Sequence, residues 1–156
     1  MFNPSRNESR DFFFDLWAKS RADEALTPLE TAALAILLEH PEYHEVIGNR
    51  DKYRDRTWTP EGGETNPFLH LALHLAIDEQ VSIDQPPGIR EAVRALASRL
   101  DSEHDARHVV MECLAEVIWQ AQRNGTGFDN GRYLDCISRH VTPVPPVTPV
   151  PPVTPA

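Results

Sequence analysis

Asn66-Pro67-Phe68-Leu69-His70-Leu71-Ala72-Leu73-His74-Leu75-Ala76-Ile77 is the stretch on which the fold turns. Between Phe68 and Ile77 every residue except the two histidines is apolar. The run alternates with period two and also fills a helix face. Helix is the better reading, because the filler is leucine and alanine rather than β-branched residues, and an Asn-Pro start precedes it. On a strand the two histidines would still share one face. A helix apolar all round is normally central. His70 and His74 are therefore expected inside the fold, where buried imidazoles need partners.

Helix signals recur outward from this segment, and strand signals are few. Asn3-Pro4 can cap a first helix carrying Phe12, Phe13, Leu16 and Trp17, read as core and docking residues. Thr27-Pro28-Leu29-Glu30 combines a capping box with a first-turn proline. The helix it opens should stop near His40, because Pro41 disfavours helix in the residue before it. Pro41 can start a short helix closed by Gly48-Asn49. The central helix, Phe68 to about Val81, ends before Pro86-Pro87-Gly88. Ile89, Val93, Leu96 and Leu100 mark an amphipathic helix. Ser102 can cap a long helix from Glu103 to about Gln122, and Asp129 a last short one. The expected fold is an all-α, single-domain bundle of six or seven helices over residues 1–140, with the helices of His70/His74 and Glu103–Gln122 as neighbours.

Residues 141–156 are a separate object. Val-Thr-Pro-Val-Pro-Pro repeats twice and begins again, with seven prolines and no charge. Such a segment should lie in extended polyproline II form and reach roughly 50 Å at about 3.1 Å per residue. It reads as a spacer, or as a ligand for a polyproline-binding partner.

A formal net charge of −9 over 156 residues argues against nucleic acid, whose phosphates need a basic face. The basic run Arg50, Lys52, Arg54, Arg56 is interleaved with Asp51 and Asp55 and reads as a solvated loop. No stretch approaches a membrane span. Cys113 and Cys136 form no close-spaced motif; Cys113 reads as a small core residue, and the pair suits a reducing compartment, with the cytoplasm as default.

Six of the seven histidines form three pairs four residues apart: His40/His44, His70/His74 and His104/His108. On a helix each pair points two imidazoles the same way. His108, Glu112, Glu116 and Gln120 also recur every fourth residue, on a helix otherwise largely apolar. That stripe is either the solvent face or the partner of His70 and His74. In the second case His70, His74 and Glu112 bind one divalent metal. His44 is then the fourth ligand, and His108 or Glu116 supports from behind. Imidazole and carboxylate suit zinc, iron, manganese or nickel, and the absence of thiolates argues against a structural zinc finger. Known motifs are missing: no His-Glu-x-x-His, no Glu-x-x-His pair, no phosphate-cradling glycine loop, no nucleophile elbow and no Cys-x-x-Cys.

Six segments carry a resemblance. They are Met1-Phe-Asn-Pro-Ser-Arg6, Phe12-Phe-Phe-Asp-Leu-Trp17, Leu38-Glu-His-Pro-Glu-Tyr-His44, Gly63-Glu-Thr-Asn-Pro-Phe-Leu-His-Leu-Ala-Leu-His74, Ser82-Ile-Asp-Gln-Pro-Pro-Gly-Ile-Arg90 and Met111-Glu-Cys-Leu-Ala-Glu-Val-Ile-Trp-Gln-Ala-Gln-Arg123. Together they resemble a family of small bacterial proteins catalogued as a domain of unknown function. The resemblance covers residues 1 to about 139 and leaves out the proline repeat. It implies one bacterial domain and assigns no reaction, cofactor or partner. Two function classes stay open. One is a metal-dependent enzyme in which an open coordination position activates water or a small substrate. The other is a non-catalytic helical adaptor whose buried histidines serve packing.

The proline repeat has no residue able to join a core beyond isolated valines. Truncation after His140 should leave the thermal midpoint within about two degrees of the full chain, as a tail without packing contributes little. A calorimetric drop of about ten degrees would show instead that the tail docks on the domain.

Overall fold

Ser5 caps the first helix. Its hydroxyl accepts from the Glu8 amide at 3.3 Å and α1 runs Arg6–Arg21. The Asn3-Pro4 start lies outside residues 5–59 and 65–142, which the computed structural model describes. Thr27 and Glu30 close the expected capping box: the Thr27 amide donates to Glu30 Oε1 at 2.9 Å, and the Glu30 amide to Thr27 Oγ1 at 3.1 Å. α2 then spans Pro28–Leu38. A 3₁₀ turn, Pro41–Tyr43, leads into α3, His44–Ile47, which Gly48 caps.

The basic run corrects the sequence reading, because it is not simply a solvated loop. Arg50–Tyr53 is a helical turn, α4. Arg54 grips Asp11 of α1 through Nε at 2.9 Å and Nη2 at 3.1 Å, and Arg50 reaches Asp11 at 3.1 Å and Asp15 at 3.0 Å. These donors hold the Asp11 carboxyl down to about 2. Asp11 and Asp15 are one helical turn apart, so α1 offers two carboxylates on one face to α4.

Asn66 Oδ1 accepts from the Phe68 and Leu69 amides, and α5 runs Pro67–Ile83. Asp84 ends it in the left-handed region, with φ 53°. The Asp84 carboxylate also accepts from the Gly88 and Arg90 amides, at 3.2 and 3.0 Å, where α6 begins. The Arg90 guanidinium returns bonds to the Val81 and Ser82 carbonyls, so one short turn satisfies both helix ends. α6 spans Ile89–Leu100, α7 Glu103–Asn124 and α8 Asn130–Val141. Ser102 and Asp129 cap α7 and α8 as expected. Helix continues through Val141 with Thr142 as its C-cap, and residues 143–156 of the proline repeat lie outside the described residues. These residues contain eight α-helices and no strand, so the fold is all-α. The eighth is α4.

The chain divides between Arg90 and Glu91 into two compact units. In the first, α1, α2 and α5 pack on one another around Phe13, Leu16, Leu37, Phe68, Leu71 and Leu75. α5 is not buried along its whole length: Leu69 is 57% exposed and Ile83 56%, while Leu71, Leu75 and Ile77 are fully covered.

In the second unit α7 packs on α8 over Tyr133 and Ile137, both buried. A disulfide joins Cys113 of α7 to Cys136 of α8, which overturns the expectation of unpaired cysteines. Twenty-three residues separate them, a distance at which no local motif signals pairing. The argument for a reducing compartment rested on free thiols and falls with them. No helix among the described residues is long and apolar enough to cross a membrane.

Leu71→Ala and Leu75→Ala should each cost about 2–5 kcal/mol, as cavity-forming changes in a packed core do. Leu69→Ala, on the exposed side of the same helix, should stay within about 0.5 kcal/mol. Denaturant midpoints at constant m-value separate the two sides. Equal losses at Leu69 and Leu71 would place α5 differently.

Candidate metal centre

The site starts where α2 stops. A helix leaves its last four carbonyls without intrahelical donors, and Pro41 has no amide to offer. The His40 amide turns to the Leu37 carbonyl at 3.0 Å, and the Glu39 amide to Ile36 at 3.1 Å. Two imidazoles complete the end. His40 Nδ1 lies 2.8 Å from the Ile36 carbonyl, and His44 Nε2 lies 2.7 Å from the Leu37 carbonyl. A carbonyl oxygen can only accept, so each of these nitrogens carries a proton. The His40/His44 pair is thus a side-chain cap on α2, favourable at the negative end of its dipole.

The cap fixes the His40 tautomer. With hydrogen on Nδ1, the neutral ring presents an unprotonated Nε2. That Nε2 lies 3.3 Å from His70 Nε2. The His74 ring completes a triangle, with centroid distances of 4.7 Å to His40, 4.9 Å to His70, and 5.0 Å between His40 and His70. One ring nitrogen from each of the three lies within 4.8 Å of the other two. His40 and His74 are buried, at 2% and 3% exposure, and His70 is half-buried. Tyr43 stacks flat on His40 at 5.7 Å and meets His70 edge-on at 5.4 Å. Burial, and then the neighbouring Glu42 charge, push the Tyr43 hydroxyl up, so it stays protonated.

This geometry suits a small cation. Two imidazole nitrogens each about 2.0–2.1 Å from a tetrahedral ion stand about 3.3–3.4 Å apart. The His40–His70 nitrogens are already at that separation. The i, i+4 pair on α5 could supply two ligands from one helix, and the α2 terminus could supply the third with its outer nitrogen hydrogen-bonded, the usual support behind a metal-bound histidine. Without a cation, the same 3.3 Å spacing is a hydrogen bond from His70 to His40.

The other candidates from the sequence stand as follows. His44 has its Nε2 on Leu37 and its ring against Trp17 at 4.6 Å. Glu112 and Glu116 lie on α7 in the second unit, and both are exposed. Solvent satisfies them, so burial does not compel them to find an imidazole. His108, on the same helix, donates Nδ1–H to the His104 carbonyl at 2.9 Å, the same turn-back bond as in His40.

His40 was passed over in favour of His44. The signal for it is present: a histidine immediately before a helix-breaking proline stands beside the last carbonyls of that helix. Arg10 was missed too. It is 2% exposed, donates Nη1 to the Arg54 and Arg56 carbonyls at 2.6 and 2.8 Å, and lies over the Trp58 and Phe68 rings at 5.2 and 4.9 Å. Burial lowers its basicity, with the Arg6 charge second. A lone arginine before Phe12-Phe13-Phe14 carries no sequence sign of this role. It fastens the segment that follows α4 to α1 and lies on Phe68 in the first turn of α5.

Fold and site together define an all-α protein with a three-histidine cluster at the crossing of α2 and α5. Residues 5–139 match the model of the family described as Domain of unknown function (DUF1841), and the chain belongs to that family. No curated protein and no solved structure matches the chain.

Proposed function

We propose that this protein binds one divalent transition metal through His40, His70 and His74, and that the bound ion serves a metal-dependent reaction. The observation that carries this reading is the pre-set His40 Nε2, 3.3 Å from His70 Nε2 while His40 Nδ1 is held on the Ile36 carbonyl. Desolvating three imidazoles is costly, and a cation they share offsets that cost. The set holds no carboxylate, which favours zinc, iron or nickel over manganese. Ligands beyond the three imidazoles are water, substrate or a further side chain, and an exchangeable water is what a hydrolytic metal site uses.

The adaptor reading also has an observation behind it, since His40 and His44 each serve α2 as a cap. Capping uses one nitrogen of His40 and leaves the other turned to His70. It accounts for half of the residue.

Protein purified without a histidine tag and under non-reducing conditions should carry about one zinc, iron or nickel ion per chain by elemental analysis. His74→Ala and His70→Gln should lose it, while His140→Ala keeps it. Affinity should fall as pH drops towards about 6, because imidazole must be deprotonated to coordinate. Helicity of His70→Gln by circular dichroism separates lost binding from lost fold. Wild type that neither carries nor takes up a divalent ion in titration would overturn the proposal.

A further inference from the structure

The second unit holds a group of a different chemistry. Cys113 Sγ, Cys136 Sγ and a ring nitrogen of His140 all lie within 4.8 Å of one another. Cys136 and His140 are four residues apart on α8 and so share a face, and Cys113 meets them from α7. Cys113 is buried, Cys136 half-buried and His140 exposed. Arg99 donates to the His140 carbonyl at 2.8 Å and holds that end of α8 in place. A cystine that only staples two helices needs no imidazole beside both sulfurs. We propose that Cys113, Cys136 and His140 form a redox-gated metal site: closed as the disulfide, and open to a thiophilic divalent ion such as zinc once reduced.

The chemistry balances with a named reductant. A trialkylphosphine and water become the phosphine oxide as the cystine takes up two electrons and two protons to give two thiols. The ion then displaces both thiol protons, and His140 adds a neutral nitrogen lone pair. Around a tetrahedral zinc two thiolate sulfurs stand about 3.8 Å apart. That is inside the 4.8 Å spread of the three donors, and the Cα atoms are 5.8 Å apart. Two thiolates and an imidazole are a zinc-type donor set, softer than the all-nitrogen cluster of the first unit. Cys136 borders a surface cavity also lined by Glu116, Gln120, Arg132, Asp135 and Arg139, which gives solvent and reductant a path to its sulfur. Reoxidation by a small disulfide, which takes the two electrons and two protons and leaves as two thiols, would re-form the cystine and release the ion.

Cobalt(II) titration of the full chain tests this, because thiolate-to-cobalt charge-transfer absorption reports this site whatever the imidazole cluster of the first unit does. The phosphine-reduced protein should show the band and saturate it at one equivalent, and the oxidised protein should show none. Cys136→Ser should abolish most of the band, and His140→Ala should weaken cobalt binding at least ten-fold. Circular dichroism keeps the outcome readable. If reduction alone loosens α7 and α8, cobalt should restore the lost helicity. A reduced wild type without the band, helicity that cobalt does not restore, or a His140→Ala variant that binds as tightly as wild type would each overturn the proposal.

Discussion

Pro41 removes one amide from the end of α2, and much of the first unit follows from that loss. The Leu37 carbonyl that Pro41 cannot serve takes the His40 amide, the Ile36 carbonyl takes the Glu39 amide, and each then gains a second, side-chain donor. His44 supplies one donor and His40 the other. The imidazoles therefore stand where backbone hydrogen bonding needs them. Their orientation follows from how the helix ends, and the proposed metal centre uses the ring nitrogen that the cap does not engage.

That origin ties each ring of the cluster to a packed element of the first unit. His70 and His74 ride on α5, which is buried through Leu71, Leu75 and Ile77. His40 is tied to α2 by its ring as well as by its backbone. Tyr43 closes the turn by stacking on His40. Arg10 fastens the segment that follows α4 to α1, and Asp11 with Arg50 and Arg54 fastens α4 itself. A ligand set held this way loses little conformational freedom on binding, which is what preorganisation means in a metal site.

Most of the helices were legible because their signals are local. Thr27-Pro28-Leu29-Glu30, Asn66-Pro67, Ser102 and Asp129 each mark a helix start within four residues, and each was matched. The parts that escaped depend on separated residues. Arg50 and Arg54 read as solvated until Asp11 and Asp15 of α1 are placed beside them. Cys113 and Cys136 pair only because α7 and α8 pack. The stripe of Glu112 and Glu116 reads as a solvent face or as a partner of His70 and His74, and both carboxylates are exposed. His70 and His74 were legible from their apolar surroundings. His40 was not chosen, because spacing shows which imidazoles share a face and says nothing of which nitrogen is already engaged.

The tautomer of His40 tests this account most directly. Long-range nitrogen–proton correlation spectra of nitrogen-15-labelled protein near pH 8, where imidazoles of ordinary pKa are neutral, distinguish protonated from unprotonated ring nitrogens. The account predicts a protonated Nδ1 and an unprotonated Nε2 on His40, with the Nε2 resonance moving when zinc is added. A proton on Nε2 and none on Nδ1 would contradict it, since the bond to Ile36 and the lone pair offered to the metal would both be gone.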